Sequence, residues 1–187
     1  MHHQAIGHRL RKVVRFLFAA GIALFVAGSP AAHPGLQKFA ILPPVAVISV
    51  DQLQQLIRGD SGNVILVNAW ATWCKPCIEE MPRLARLSRE YSGKPLTIIL
   101  VSADEAELAP TSVKKVLTDA GIVLQTYLVS GSGDEYFINS MSPKWSGALP
   151  TTFLYDRQGV LRTMMTGKQS YEKFSAAVDT LLGSQRR

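Results

Sequence analysis

The chain reads as an α/β domain with a mixed central β-sheet flanked by helices on both faces. Three observations predict this. Continuous apolar runs such as Val64-Ile65-Leu66-Val67 alternate with segments of helical spacing, the pattern of strands buried on both faces and joined through helices. A hairpin signal, Asp156-Arg157-Gln158-Gly159 between two apolar stretches, adds antiparallel strands near the end. The only two cysteines, in Trp73-Cys74-Lys75-Pro76-Cys77, fall between a strand and the helix that follows it. That is the carboxyl end of a strand, where open α/β sheets place their sites.

The first 32 residues stand apart from this domain. Arg9, Arg11, Lys12 and Arg15 precede a 12-residue apolar run, 16–27, and then Gly28-Ser29-Pro30-Ala31-Ala32. A basic start, an apolar middle and a small-residue exit make a secretory signal peptide, with Pro30 an imperfection at the cleavage site. The alternative is an uncleaved membrane anchor, since 16–32 approaches the short end of a span. Either way the basic flank stays inside and the body is exported, to the periplasm or the extracytoplasmic face of the inner membrane. Residues 33–46, with Pro34, Pro43 and Pro44, form a linker, and the domain spans 47–187.

Within the domain, 47–50 is a short strand and 51–58 a helix with Leu53, Leu56 and Ile57 inward. Ser49 and Gln52 form its capping box and Gly59 its stop. Residues 64–69 are a fully buried strand. The next helix starts at the cysteines and runs to about Tyr91, with Met81, Leu84 and Leu87 as its stripe and a kink expected at Pro82. Then follow a strand at 97–101, a helix at 111–120 with Val113, Val116 and Leu117 inward, and a strand at 124–129. A short helix at 134–140 leads to the hairpin strands 151–155 and 160–165. Ser170 caps a last helix with Phe174, Val178 and Leu181 on one face.

Charge and cysteine usage exclude several classes of function. Without the four basic residues of the N-terminal segment, 16 basic and 14 acidic residues leave a net charge of +2 and no basic cluster for nucleic acid. A domain of this size needs no disulfide staple, and a bridge this short constrains the unfolded chain little. A structural zinc needs four ligands. There is no third cysteine, and His2, His3, His8 and His33 all lie at or before the processing site. Haem attachment requires His after the second Cys, where Ile78 stands. The pair therefore reads as a redox device that needs no metal and no bound cofactor.

Only a thiolate attacks a disulfide. Cys74 at a helix N-terminus meets unpaired N–H groups and the positive end of the dipole, both of which favour the anion. Cys77, one turn in, is the more buried thiol that resolves the mixed disulfide. Lys75 adds positive charge, and Pro76 has no N–H to offer the sulfur.

The stretch Val67-Asn68-Ala69-Trp70-Ala71-Thr72-Trp73-Cys74-Lys75-Pro76-Cys77-Ile78-Glu79-Glu80-Met81-Pro82 closely resembles the exported oxidoreductases of the TlpA/ResA group, which includes CcmG. Leu149-Pro150-Thr151-Thr152-Phe153, followed by Asp156-x-x-Gly159, is similar to their second signature. The resemblance covers about residues 47–182 and implies a thioredoxin-like fold, Cys74 as attacking thiol, Cys77 as resolving thiol and Pro150 as a cis-proline facing them. Substrate chains pair with the backbone beside that proline like an added strand, so Leu149, Pro150, Trp73, Lys75 and Pro76 are expected to contact substrate. Thioredoxin's buried acid is replaced by Asn68, which takes no proton. Glu80, one turn beyond Cys77, matches the acid that handles protons in the group. The implied partners are disulfide-bearing proteins of cytochrome c or copper-centre assembly and a membrane thiol reductase of the DsbD/CcdA type as electron donor.

Other residues have plainer expectations. Trp70 reads as core, Glu79 as surface and Met164-Met165 as packing. Asp104, Glu105 and Glu107 read as a solvated loop, and Lys144 and Trp145 either rim the site or decorate a longer loop. Rival chemistries lack their marks. A DsbA-type oxidase favours His between the cysteines and a helical insertion, for which 129–148 is too short. Peroxidase and Sco-type copper chaperone patterns are absent, and a non-catalytic thioredoxin-fold binding module would leave the pair without use.

Overall fold

A computed structural model describes residues 45–105 and 109–183. The expected signal or anchor segment, most of the linker and Glu107 lie outside these residues. The elements are β1 (Ala46–Ile48), α1 (Val50–Gly59), β2 (Val64–Trp70), α2 (Lys75–Glu90), β3 (Leu96–Ser102), α3 (Ala109–Asp119), β4 (Gln125–Val129), α4 (Glu135–Met141), β5 (Thr151–Tyr155), β6 (Leu161–Thr166) and α5 (Tyr171–Gly183). The sheet order is β1-β4-β3-β2-β5-β6. The first four strands are parallel, while β5 and β6 run antiparallel to their neighbours. This is the expected mixed sheet.

Alternation along the central strands divides the core into two layers. Val64, Leu66 and Trp70 of β2, with Ile98 and Leu100 of β3, pack against side chains of α2, α3 and α5. Ile65, Val67 and Ala69, with Ile99 and Val101, face α1 and α4. A strand buried on both sides has no solvent face, so β2 is apolar at every position but Asn68, whose buried amide is hydrogen-bonded instead. Each fully buried Leu or Ile here is worth about 1.5–3 kcal/mol. Helix α2 continues through Pro82 to Glu90. Its far end is tied to α5 by the Tyr91 hydroxyl, which donates to Asp179 at 2.8 Å, and by Arg86, which stacks over the Tyr171 ring.

Two details differ from the sequence reading. Val50 opens α1 instead of ending the strand, because Ser49 caps the helix immediately before it. Leu56 is 38% exposed, and Val50 takes its place in the buried stripe with Leu53 and Ile57. The capping box forms as expected: Gln52 N–H donates to Ser49 Oγ at 3.2 Å, and Ser49 N–H donates to Gln52 Oε1 at 2.8 Å. Ser49→Ala is expected to cost about 1 kcal/mol, read as a lower urea midpoint at unchanged slope.

Candidate active site

The site forms where β2 leaves the sheet. Ser102 of β3 and Thr151 of β5 flank the end of β2, paired with Trp70 and Ala69 respectively. Pro150, immediately before Thr151, therefore lies beside the departing chain, and the Leu149–Pro150 peptide is cis. The Cys74 N–H donates to Ala71 O at 3.1 Å, turning the chain into α2. Cys74 then occupies the N-cap, and Cys77 and Ile78 N–H both donate to its carbonyl. Cys74 and Cys77 are joined as a disulfide. Both are buried, Cys74 at 6% exposure and Cys77 at 1%, so the thiol expected to attack is the more accessible one.

The other expected site residues fall into two groups. Trp73, 72% exposed, stands out from the surface beside the disulfide, and Lys75 and Pro76 are exposed next to it. Pro150 is buried, and half-buried Leu149 touches both core layers. A cleft of about 440 Å³ opens beside Trp73, lined also by Asp104, Glu105 and the loop from Ser130 to Asp134.

Glu80 is 1% exposed. Asn68 Nδ2 donates to its Oε1 at 2.9 Å and to Thr152 Oγ1 at 2.9 Å, and Gln169 N–H donates to its Oε2 at 2.6 Å. Burial raises the Glu80 pKa above the ordinary glutamate value, and the two N–H donors only partly offset that. Neighbouring Glu79 is exposed, and its pairing with Lys168 at 2.7 Å holds its pKa low. One turn of α2 thus carries a surface carboxylate and a buried one, the latter on the side of Cys77.

Two sequence expectations are corrected. Asp104 is not a solvated loop residue: it is 8% exposed and accepts hydrogen bonds from Thr72 and Ser102. Trp145 neither rims the site nor decorates a loop. Its ring packs edge-on between Phe137 and Phe153, with centroids at 5.5 and 5.1 Å, and its Nε1 donates to Ala148 O at 3.0 Å. It anchors the approach to Pro150 from beneath, while Lys144 beside it is exposed. Gly147 in this approach has φ +81°, a left-handed conformation that glycine adopts without the strain a side chain would bring.

Sequence reasoning treated Asn68 only as a lost acid and overlooked Thr72, Thr152 and Gln169. Asn68 was findable, since it shares the parity of Leu66 and Trp70 and so must face α2. Gln169 contributes through its backbone N–H, which leaves no mark on residue type.

Residues 48–164 match the AhpC/TSA family. The chain is 32% identical over 131 residues to the thiol-disulfide oxidoreductase ResA of Bacillus thuringiensis (strain Al Hakam), covering 70% of each chain. It is 28% identical over 145 residues to the thioredoxin-like protein YneN of Bacillus subtilis (strain 168), covering 78% of this chain and 81% of that one. In fold it is similar to a thioredoxin-family thiol:disulfide interchange protein from Chlorobium tepidum TLS, with a TM-score of 0.58 and 23% identity over 67% of this chain and 83% of the other. A match of this extent and identity makes the chain a member of the AhpC/TSA family, a thioredoxin-fold thiol–disulfide oxidoreductase of the ResA type.

Proposed function

We propose that the protein works outside the cytoplasm as a reductant for disulfides in selected partner proteins. The observation that carries the exchange chemistry is the buried Glu80 carboxyl one turn past Cys77, on the side from which it can take the resolving thiol's proton. The reducing direction rests on the similarity to the ResA group. In the reduced state the Cys74 thiolate attacks a substrate disulfide, forming Cys74–S–S–R and releasing the other substrate sulfur as a thiolate. Cys77 gives up its proton to Glu80 and attacks the Cys74 sulfur. The Cys74–Cys77 disulfide forms and R–S⁻ leaves, so two electrons pass from the dithiol to the substrate. The pair itself carries these electrons, and no bound cofactor enters.

Trp73, Lys75, Pro76 and the Leu149–Pro150 edge form the surface on which a substrate chain lies as an added strand. Recharging requires an external dithiol, for which a membrane reductase of the DsbD/CcdA type is the natural donor. The basic and apolar N-terminal stretch supports export to the periplasmic side, and the resemblance to the ResA and CcmG group favours substrates in cytochrome c or copper-centre assembly. The deciding experiment is the reduction potential of the Cys74–Cys77 pair in glutathione or dithiothreitol buffers. A value near or below that of thioredoxin, about −270 mV, is expected. A value near about −120 mV would overturn the reductant reading and favour disulfide insertion.

A further inference from the structure

Asp104 is a buried carboxylate that the exchange chemistry leaves without a task. It is 8% exposed. Thr72 N–H donates to its Oδ2 at 2.9 Å, Ser102 Oγ to the same oxygen at 2.6 Å, and Thr72 Oγ1 to its Oδ1 at 2.6 Å. All these donors are neutral, and among the described residues no ion pair includes Asp104. A buried carboxylate is costly unless it is hydrogen-bonded, and here two of the three bonds fall on one residue, Thr72.

Thr72 stands two positions before Cys74, in the bend that carries the chain from β2 into α2. The bend is held from within by Cys74 N–H on Ala71 O, at 3.1 Å, and the adjacent strand exits are joined by Ala103 N–H on Trp70 O, at 2.8 Å. Among the described residues, Asp104 is the one side chain hydrogen-bonded to the middle of this bend from outside it. Two residues span at most about 7 Å, so the carboxylate charge sits within about one Debye length of Cys74.

We propose that Asp104 is a positioning residue for the attacking thiol, fixing the bend that presents Cys74 and setting a negative charge against its thiolate. The charge opposes the helix N-terminus and raises the thiol's proton affinity. Destabilising the thiolate destabilises the reduced pair, which makes the protein a stronger reductant. This inference rests on the assignment of Cys74 as attacking thiol. The other charges around the disulfide are Lys75 beside it, Glu79 and Glu80 on α2, Lys168 opposite Glu79, and Glu105 and Asp134 on the cleft. The substitutions below leave all of them in place.

The test is the pH dependence of iodoacetamide alkylation of the reduced protein, with the modified cysteine identified by mass spectrometry. Asp104→Asn keeps an acceptor for Thr72 N–H and an amide for the hydroxyls but removes the charge. Its Cys74 titration is expected to move down by at least about half a unit, which raises the thiolate fraction at low pH about threefold. Thr72→Val keeps the charge and two of the three bonds, losing only that of the Thr72 hydroxyl. It should leave the titration in place, lower kcat/KM toward a disulfide substrate at least threefold, and be rescued by Thr72→Ser. An unmoved Cys74 titration in folded Asp104→Asn overturns the proposal. If that variant does not fold, wild-type kcat/KM in Thr72→Val overturns it. Alkylation of Cys77 ahead of Cys74 would instead overturn the assignment of the attacking thiol, and this inference with it.

Discussion

Cys77→Ala is expected to convert the protein into a trap that accumulates mixed disulfides through Cys74 and does not turn over. Cys74 lies at the N-cap of α2 and is the more exposed of the two cysteines, so attack on a substrate needs nothing from Cys77. Release does need it, because the mixed disulfide is opened by a second thiolate held one turn away. The substitution should leave the fold intact: closing so short a loop is worth no more than about 2 kcal/mol in the chain-entropy view, and the deleted sulfur leaves only a small void. Cys74→Ser, which retains Cys77 but has no thiolate at the mouth of the site, should form no adducts and show no exchange above background. Non-reducing gels after alkylation, with mass spectrometry of the bridged peptides, read both results. Adducts through Cys77 in the Cys74→Ser protein would reverse the roles of the two thiols. Their absence from both variants would leave a binding module.

The architecture was legible because its physical causes lie in residue order. A strand with helices on both sides has no polar face, so β2 is apolar but for Asn68 and β3 is apolar from Ile98 to Val101. The capping box at Ser49 and the Asp156 turn, where the side chain accepts from Gln158 and Val160 N–H at 2.9 and 3.0 Å, are local devices that sequence spacing records. The misread residues depend on partners far along the chain. Asp104 looks solvated among Glu105 and Glu107 until β2 and β3 are paired in register, which brings Thr72 beside it. Trp145 looks like loop decoration until α4 and β5 supply Phe137 and Phe153 on either side of its ring. The cysteine pair, Glu80 and Pro150 were all findable because two short motifs carry them; the groups that hold Glu80 in place come from β2 and the turn before α5.

Glu80→Gln should slow resolution of the mixed disulfide by about 10²-fold at neutral pH, the lower end of what a positioned general base contributes, and should change the pH profile as well as the rate. In the wild type, burial holds the Glu80 pKa above the ordinary 4.5. As pH falls, this group is protonated earlier than a surface glutamate and ceases to accept the Cys77 proton, so the acid limb of resolution should lie above pH 4.5. Glutamine has no such ionisation, and the variant's rate should follow the Cys77 thiol alone. Stability gives an independent check with a defined sign. A carboxyl whose folded pKa is raised contributes stability that is complete below its unfolded value and is lost as pH rises through its folded value. Wild-type stability should carry that downward drift, and Glu80→Gln should not. The glutamine also offers one acceptor where Asn68 Nδ2 and Gln169 N–H require two, at a cost of about 1–3 kcal/mol for the donor left unpaired. That penalty lowers the whole curve without restoring its slope, so packing and proton transfer separate in one pair of titrations. A variant that kept the wild-type acid limb would assign it to another group and leave Glu80 as a buried strut between α2 and the turn before α5.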